Sequence, residues 1–207
     1  MRKLQLITIA LVCAAFLCSD TPAQAAKSAD VKAIDTYCKS VDAIIKKRKT
    51  PELVFADISD YNDDAKSKWR KFASEKALEK FREKTETYTI AYVWRKNLKL
   101  AGVNFTLFSP SGDWTRYIYS YYREDGTLAK VTIEHRTFYG DYIMLQDIYF
   151  SAAGKVLRKT TSYKDLATKK PKKLSKEFLE DNKALMKDVD YYMTTGKLPF
   201  AHLLKKK

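Results

Sequence analysis

Four glycines stand fourteen residues apart: Gly112, Gly126, Gly140 and Gly154. Each sits among turn-forming residues, as in Pro110-Ser111-Gly112-Asp113 and Glu124-Asp125-Gly126-Thr127. Glycine supplies the positive φ that tight hairpins need. The intervals between them hold about ten residues rich in Tyr, Ile, Val and Thr: Trp114–Arg123, Leu128–Tyr139, Tyr142–Phe150 and Val156–Tyr163. Even spacing with tight turns predicts an antiparallel meander. Thr87–Trp94 and Val103–Phe108 add upstream strands. An echo appears at 28 residues, where Tyr121-Tyr122 and Tyr149-Phe150 each precede three residues, a glycine, any residue and an aliphatic.

Around the meander the period changes to that of helices. Ile34, Tyr37, Cys38, Val41, Ile44 and Ile45 recur at three- and four-residue steps and predict a helix over 29–48, capped by Asp30 and ended by Pro51. Trp69, Phe72, Ala73, Ala77 and Phe81 predict a second over about 62–84, with a loop between the two containing Leu53, Val54 and Phe55. Phe178, Leu185, Val189 and Tyr192 predict a third from Ser175 to Thr194. The expected fold is α+β: an antiparallel meander of five to six strands, with two N-terminal helices and one C-terminal helix packed on one face. No linker-like stretch divides residues 27–207, which are expected to form one domain.

The first 26 residues have the layout of a bacterial secretory signal peptide. Arg2 and Lys3 precede an apolar run from Leu4 to Leu17, and Ala23-Gln24-Ala25 forms a small-residue cleavage site. The run is too short to span a bilayer, which takes about 20 residues, and no later stretch is long and apolar enough. Cys13 and Cys18 follow Val12 and Leu17, where lipidation signals want a small residue. Cleavage would remove Arg2, Lys3 and Asp20, leaving 37 basic and 24 acidic residues, a net +13. Cys38 would then be the one cysteine, so no internal disulfide can form, and its place on the apolar stripe points to a buried thiol. The expected location is the periplasm or the exterior.

No catalytic signature appears. Two histidines, His135 and His202, offer no zinc spacing, and there is no Gly-x-Ser-x-Gly elbow or phosphate-cradling loop. Asp57 to Asp64 is rich in oxygen ligands, but an EF-hand register from Asp60 puts Ala65 where glycine belongs and Lys71 where the bidentate glutamate belongs. No metal or cofactor is therefore expected. His135 falls in phase with Val131 and Ile133 on a strand, where a hydrolase site could be dispersed around it.

Charge and aromatic residues are more informative. Residues 155–176 carry nine Lys/Arg against Asp165 alone. Lys155, Arg158, Lys159, Lys169, Lys170, Lys172 and Lys173 are the candidate anion-binding residues. Tyr117, Tyr119 and Tyr121 alternate on one strand and form a candidate platform for an apolar ligand or a sugar ring. Export and the lack of any nucleic-acid motif argue against DNA or RNA. The reading these features favour is a non-enzymatic envelope protein that binds an anionic or amphiphilic ligand such as a lipid, lipopolysaccharide or glycan. The alternatives are a periplasmic hydrolase around His135 and a protein-interaction or inhibitor module docking through a sheet edge.

Overall fold

A computed structural model describes residues 22–59 and 67–204. The body of the predicted signal peptide and the calcium-like run from residue 60 lie outside the described residues. The chain is α+β, with one antiparallel sheet of eight strands in the order β2-β1-β3-β4-β5-β6-β7-β8. The strands are β1 (Leu53–Asp57), β2 (Trp69–Phe72), β3 (Thr89–Lys96), β4 (Lys99–Phe108), β5 (Trp114–Tyr122), β6 (Leu128–Thr137), β7 (Tyr142–Phe150) and β8 (Val156–Asp165). The helices are α1 (Pro22–Arg48), α2 (Glu75–Arg82), α3 (Lys176–Leu185) and α4 (Ala201–Leu204). The glycine-delimited hairpins form as expected, with φ between 78° and 84° at all four glycines.

Eight strands replace the expected five or six. Leu53-Val54-Phe55 is a strand because it pairs with both β2 and β3. Val54 and Phe55 are buried on opposite faces, so the segment reads as a continuous apolar run rather than an alternation. The expected helix over 62–84 forms only in its second part, as α2, and its described first part is a strand. Trp69–Phe72 is a short edge strand, and Ser74 then caps α2 by accepting from Ala77 N at 3.2 Å. The third helix stops at Leu185. A 3₁₀ turn (Met186–Asp188) follows, Val189 turns extended, and residues 193–195 hydrogen-bond to the β5–β6 turn through Leu128 N to Met193 O and Thr195 N to Gly126 O. α1 begins at Pro22, so Asp30 lies within the helix and does not cap it.

The helices do not share one face. α1 and α2 lie on one side of the sheet, while α3, α4 and the chain between them cover the other. Both sides need cover because β1 and β3 are apolar on both. On the α1 side, Val31, Ile34, Cys38 and Val41 bury against Ala101, Tyr121, Ala129 and Tyr149. Ala101, Ala129 and Leu157 are the extra residues of three β-bulges, where the register skips beside Trp94, Tyr121 and Tyr149. They stand 28 residues apart on alternate strands, and all three pack under α1. The echo in the sequence is thus a repeated bulge. Beside two of these bulges an aromatic pair divides between the faces: Tyr121 and Tyr149 pack towards α1, and Tyr122 and Phe150 towards the opposite core.

That opposite core is the larger. Phe55, Val93, Val103, Ile118, Tyr122, Val131, Ile133, Met144 and Phe150 meet Leu174, Val189, Leu198 and Phe200. Phe200 stacks on Phe55 with ring centroids 4.3 Å apart.

Candidate functional site

A cleft of about 520 Å³ opens between α3 and the β7–β8 edge of the sheet. Strand alternation builds its floor. Met144 and Gln146 of β7 face the same side as their β8 partners Tyr163 and Thr161. Helical periodicity builds its wall, bringing Lys176, Leu179, Glu180 and Lys183 of α3 to the cleft, followed by Met186 and Lys187 of the 3₁₀ turn. Lys159 stands at the outer edge. Lys159, Lys176, Lys183 and Lys187 thus ring a floor that includes Met144, Tyr163, Leu179 and Met186. Glu180 is the one acidic residue lining it and pairs with Lys183 at 2.7 Å.

Two buried amides complete the cleft. Gln146 Nε2 donates to Thr161 Oγ1 at 3.0 Å. Asn182 Nδ2 donates to Tyr142 Oη at 2.8 Å and to the Phe178 carbonyl at 2.7 Å. The carbonyl oxygens of both amides, Gln146 Oε1 and Asn182 Oδ1, are buried without a hydrogen-bond partner among the described residues.

The candidate anion-binding residues do not form one patch. Lys155 lies in the turn before β8, and Lys169, Lys170, Lys172 and Lys173 lie beyond its far end, roughly 30 Å away at a strand's rise per residue. Arg158 faces α1, where its guanidinium stacks 4.3 Å from the Tyr149 ring and pairs with Asp35 at 3.6 Å. Lys172 Nζ donates to the Gly140 and Asp141 carbonyls at 2.7 and 2.8 Å. Lys159 alone of the seven lines the cleft. Lys176, Lys183 and Lys187 complete the ring, and their heptad-like spacing around Leu179 and Met186 was the signal for them in the sequence.

The tyrosine ladder shares one face as expected, but that face is α1's and not the cleft's. Tyr121 is buried beneath α1 and donates to Asp42 Oδ1 at 2.8 Å. The Arg136 guanidinium sits 5.1 Å from the Tyr117 ring. Tyr119 is half-buried, which raises its phenol above the ordinary tyrosine value. The three do not present a continuous open platform.

His135 is 3% exposed, against the Trp114 ring and paired across the strands with Arg116. Burial, and then the Arg116 charge, lower its pKa to about 4. Its Nδ1 has no hydrogen-bond partner among the described residues, so no carboxylate among them holds that nitrogen. Cys38 is buried on the sheet-facing side of α1, and burial pushes its thiol up to about 12. β8 is an edge strand, and its charged side chains, Arg158 towards α1 and Lys159 at the cleft, discourage strand addition along it. No helix among the described residues is long and apolar enough to cross a membrane. No protein-family model matches the chain, and no curated protein or solved structure matches it.

Proposed function

We propose that the protein is an exported bacterial envelope protein that binds an anionic amphiphile, without catalysis, in the cleft between α3 and β7–β8. The observation that carries this reading is the ring of Lys159, Lys176, Lys183 and Lys187 around a floor of Met144, Tyr163, Leu179 and Met186. Apolar floor takes an alkyl chain, and lysine ammonium groups on flexible stems take a charged head without fixing its geometry. The methionines suit a floor that adapts to its occupant. The expected secretory leader supports this reading, because export would bring the protein to an envelope rich in such molecules.

Calorimetric titration of the full chain with dodecyl phosphate tests the reading. Saturable binding is expected, weakening with added salt and falling by about tenfold in the Lys159→Glu/Lys187→Glu variant. Absence of saturable binding, or binding indifferent to those substitutions, overturns it. Export is tested separately, by sequencing the N-terminus of the protein recovered from a periplasmic fraction. A start at Lys27 is expected, and an intact Met1 in the cytoplasm overturns it.

A further inference from the structure

We infer that the β6–β7 turn is a docking tip for an anionic lipid surface. This contact is separate from the cleft, and the amphiphile reading does not depend on it. Phe138 and Tyr139 follow β6 and are 68% and 61% exposed. The turn that carries them is braced from several sides. Tyr139 N donates to Thr137 Oγ1 at 3.0 Å, and Asp141 N to the Phe138 carbonyl at 3.2 Å. Phe138 N donates to the Asp113 carbonyl at 3.0 Å, and Lys172 Nζ holds the Gly140 and Asp141 carbonyls. The Tyr139 ring lies edge-on to Phe178 of α3, with centroids 5.1 Å apart. A surface hollow of about 250 Å³ adjoins Phe138 and is lined also by Trp114, Tyr117, Leu166, Arg136 and Lys169. Adjacent exposed apolar groups of this kind mark interaction sites.

Charge selects the partner. The chain after β8 folds back on the tip, where Leu166 N donates to the Asp141 carbonyl at 3.0 Å. It brings Lys164, Lys169, Lys170, Lys172 and Lys173 to the same end of the sheet. Lys172 is matched by Asp165 at 3.6 Å, and Arg136 by Glu134 at 2.5 Å. Lys164, Lys169, Lys170 and Lys173 then stand against Asp113 and Asp141, on a chain of net charge +14. Aromatic rings flanked by lysines fit the lipid–water boundary, where rings lie at headgroup depth and ammonium groups meet phosphates. Area argues against a protein partner. Two rings bury roughly 300–500 Å², well short of the ~800 Å² that each side of a stable protein interface gives up. Ring insertion and lysine attraction add together, so a lipid surface holds a tip of this size.

Co-sedimentation of the full chain with vesicles tests this. The vesicles are phosphatidylcholine and phosphatidylglycerol in equal parts, against phosphatidylcholine alone. Binding to the anionic vesicles is expected to exceed binding to the neutral ones at least ~10-fold. Lys169→Glu/Lys170→Glu is expected to weaken it at least ~10-fold, and Phe138→Ser at least ~5-fold. Urea midpoints should not change, because these side chains are exposed. In Phe138→Trp, bromine-labelled acyl chains in the anionic vesicles should quench more indole fluorescence than in the native protein. No binding to anionic vesicles, or equal binding to neutral ones, overturns the inference and gives the tip to a protein partner. Undiminished binding in either the lysine or the serine variant, as attachment through the N-terminal segment would produce, overturns it, and so does unchanged quenching in Phe138→Trp. Dodecyl phosphate titration reads the cleft independently, so the two proposals fail separately.

Discussion

The hydroxyl of Tyr149 donates to Asp35 Oδ1 at 2.7 Å and fastens α1 to the sheet. Tyr121 repeats the contact with Asp42 at 2.8 Å. The tyrosines lie two strands apart, about 9.6 Å at the usual strand spacing. The aspartates lie two helical turns apart, about 10.5 Å. The near match of these lengths lets a repeated bulge and a helix meet twice. Tyr149→Phe and Tyr121→Phe are each expected to lower stability by about 1.5–3 kcal/mol, the range for hydrogen bonds to charged groups. Urea unfolding of both single variants and the double variant checks this, and a double variant as stable as the native protein would refute it.

Cys38 lies on the sheet-facing side of the same helix. Burial raises its thiol from 9.0 to about 12, so the native state holds its proton where the unfolded chain releases it. This contribution is complete below pH 9 and is lost as pH rises towards 12, at up to about 1.4 kcal/mol per pH unit. Cys38→Ala should flatten that part of the stability profile. The difference in slope between the two proteins is the readout.

His135 acts at the other end of the pH scale. Its pKa falls from 6.5 unfolded to about 4 folded, so acid favours the unfolded chain. The native advantage is full above 6.5 and declines as pH drops towards 4, by about 3 kcal/mol in all. His135→Gln should remove that decline. Chemical denaturation across this window measures it, and an unchanged acid limb in the variant would contradict the assignment.

Gly140 and Gly112 share a φ of +79° but not their surroundings. A Cβ at Gly140 would stand 2.8 Å from the Phe178 ring, whereas one at Gly112 meets nothing within 4 Å. Gly112→Ala should therefore cost about 1 kcal/mol in backbone strain alone. Gly140→Ala should cost about 2–3 kcal/mol, because it also displaces Phe178 from α3. Melting temperatures of the pair test the order.

Leu98 sits at φ 66° in the two-residue β3–β4 hairpin, after Asn97 at 52°, and is 93% exposed. Two left-handed residues make a turn in which glycine is the favoured second member. Leu98→Gly is expected to raise stability by about 1 kcal/mol, read as a higher melting temperature.

The regular meander was legible because its glycines answer a local need, positive φ at a turn. Leu53-Val54-Phe55 was not, because a strand buried on both faces loses the alternation that marks strands. Trp69 and Phe72 imitate a helical step while belonging to an edge strand. The chain after Leu185 keeps its apolar residues at helical intervals, yet Val189 and Tyr192 reach the core from extended backbone. The cleft was half legible. The cluster of lysines around β8 was visible, but a strand sends Arg158 and Lys159 to opposite faces and separates Lys155 from Lys169. Only α3, folded back over the sheet, decides which lysines meet.

Phe55 and Phe200, stacked 4.3 Å apart, set a condition on the order of assembly. The first strand offers half of a ring pair whose other half emerges from the ribosome last among the core residues described. Until residue 200 is available, the part of this side around Phe55 has no cover, and its aromatic residues remain open to solvent and to any holdase that meets the nascent chain. A ribosome-bound fragment ending before Leu198 would thus possess the meander and still lack a closed core.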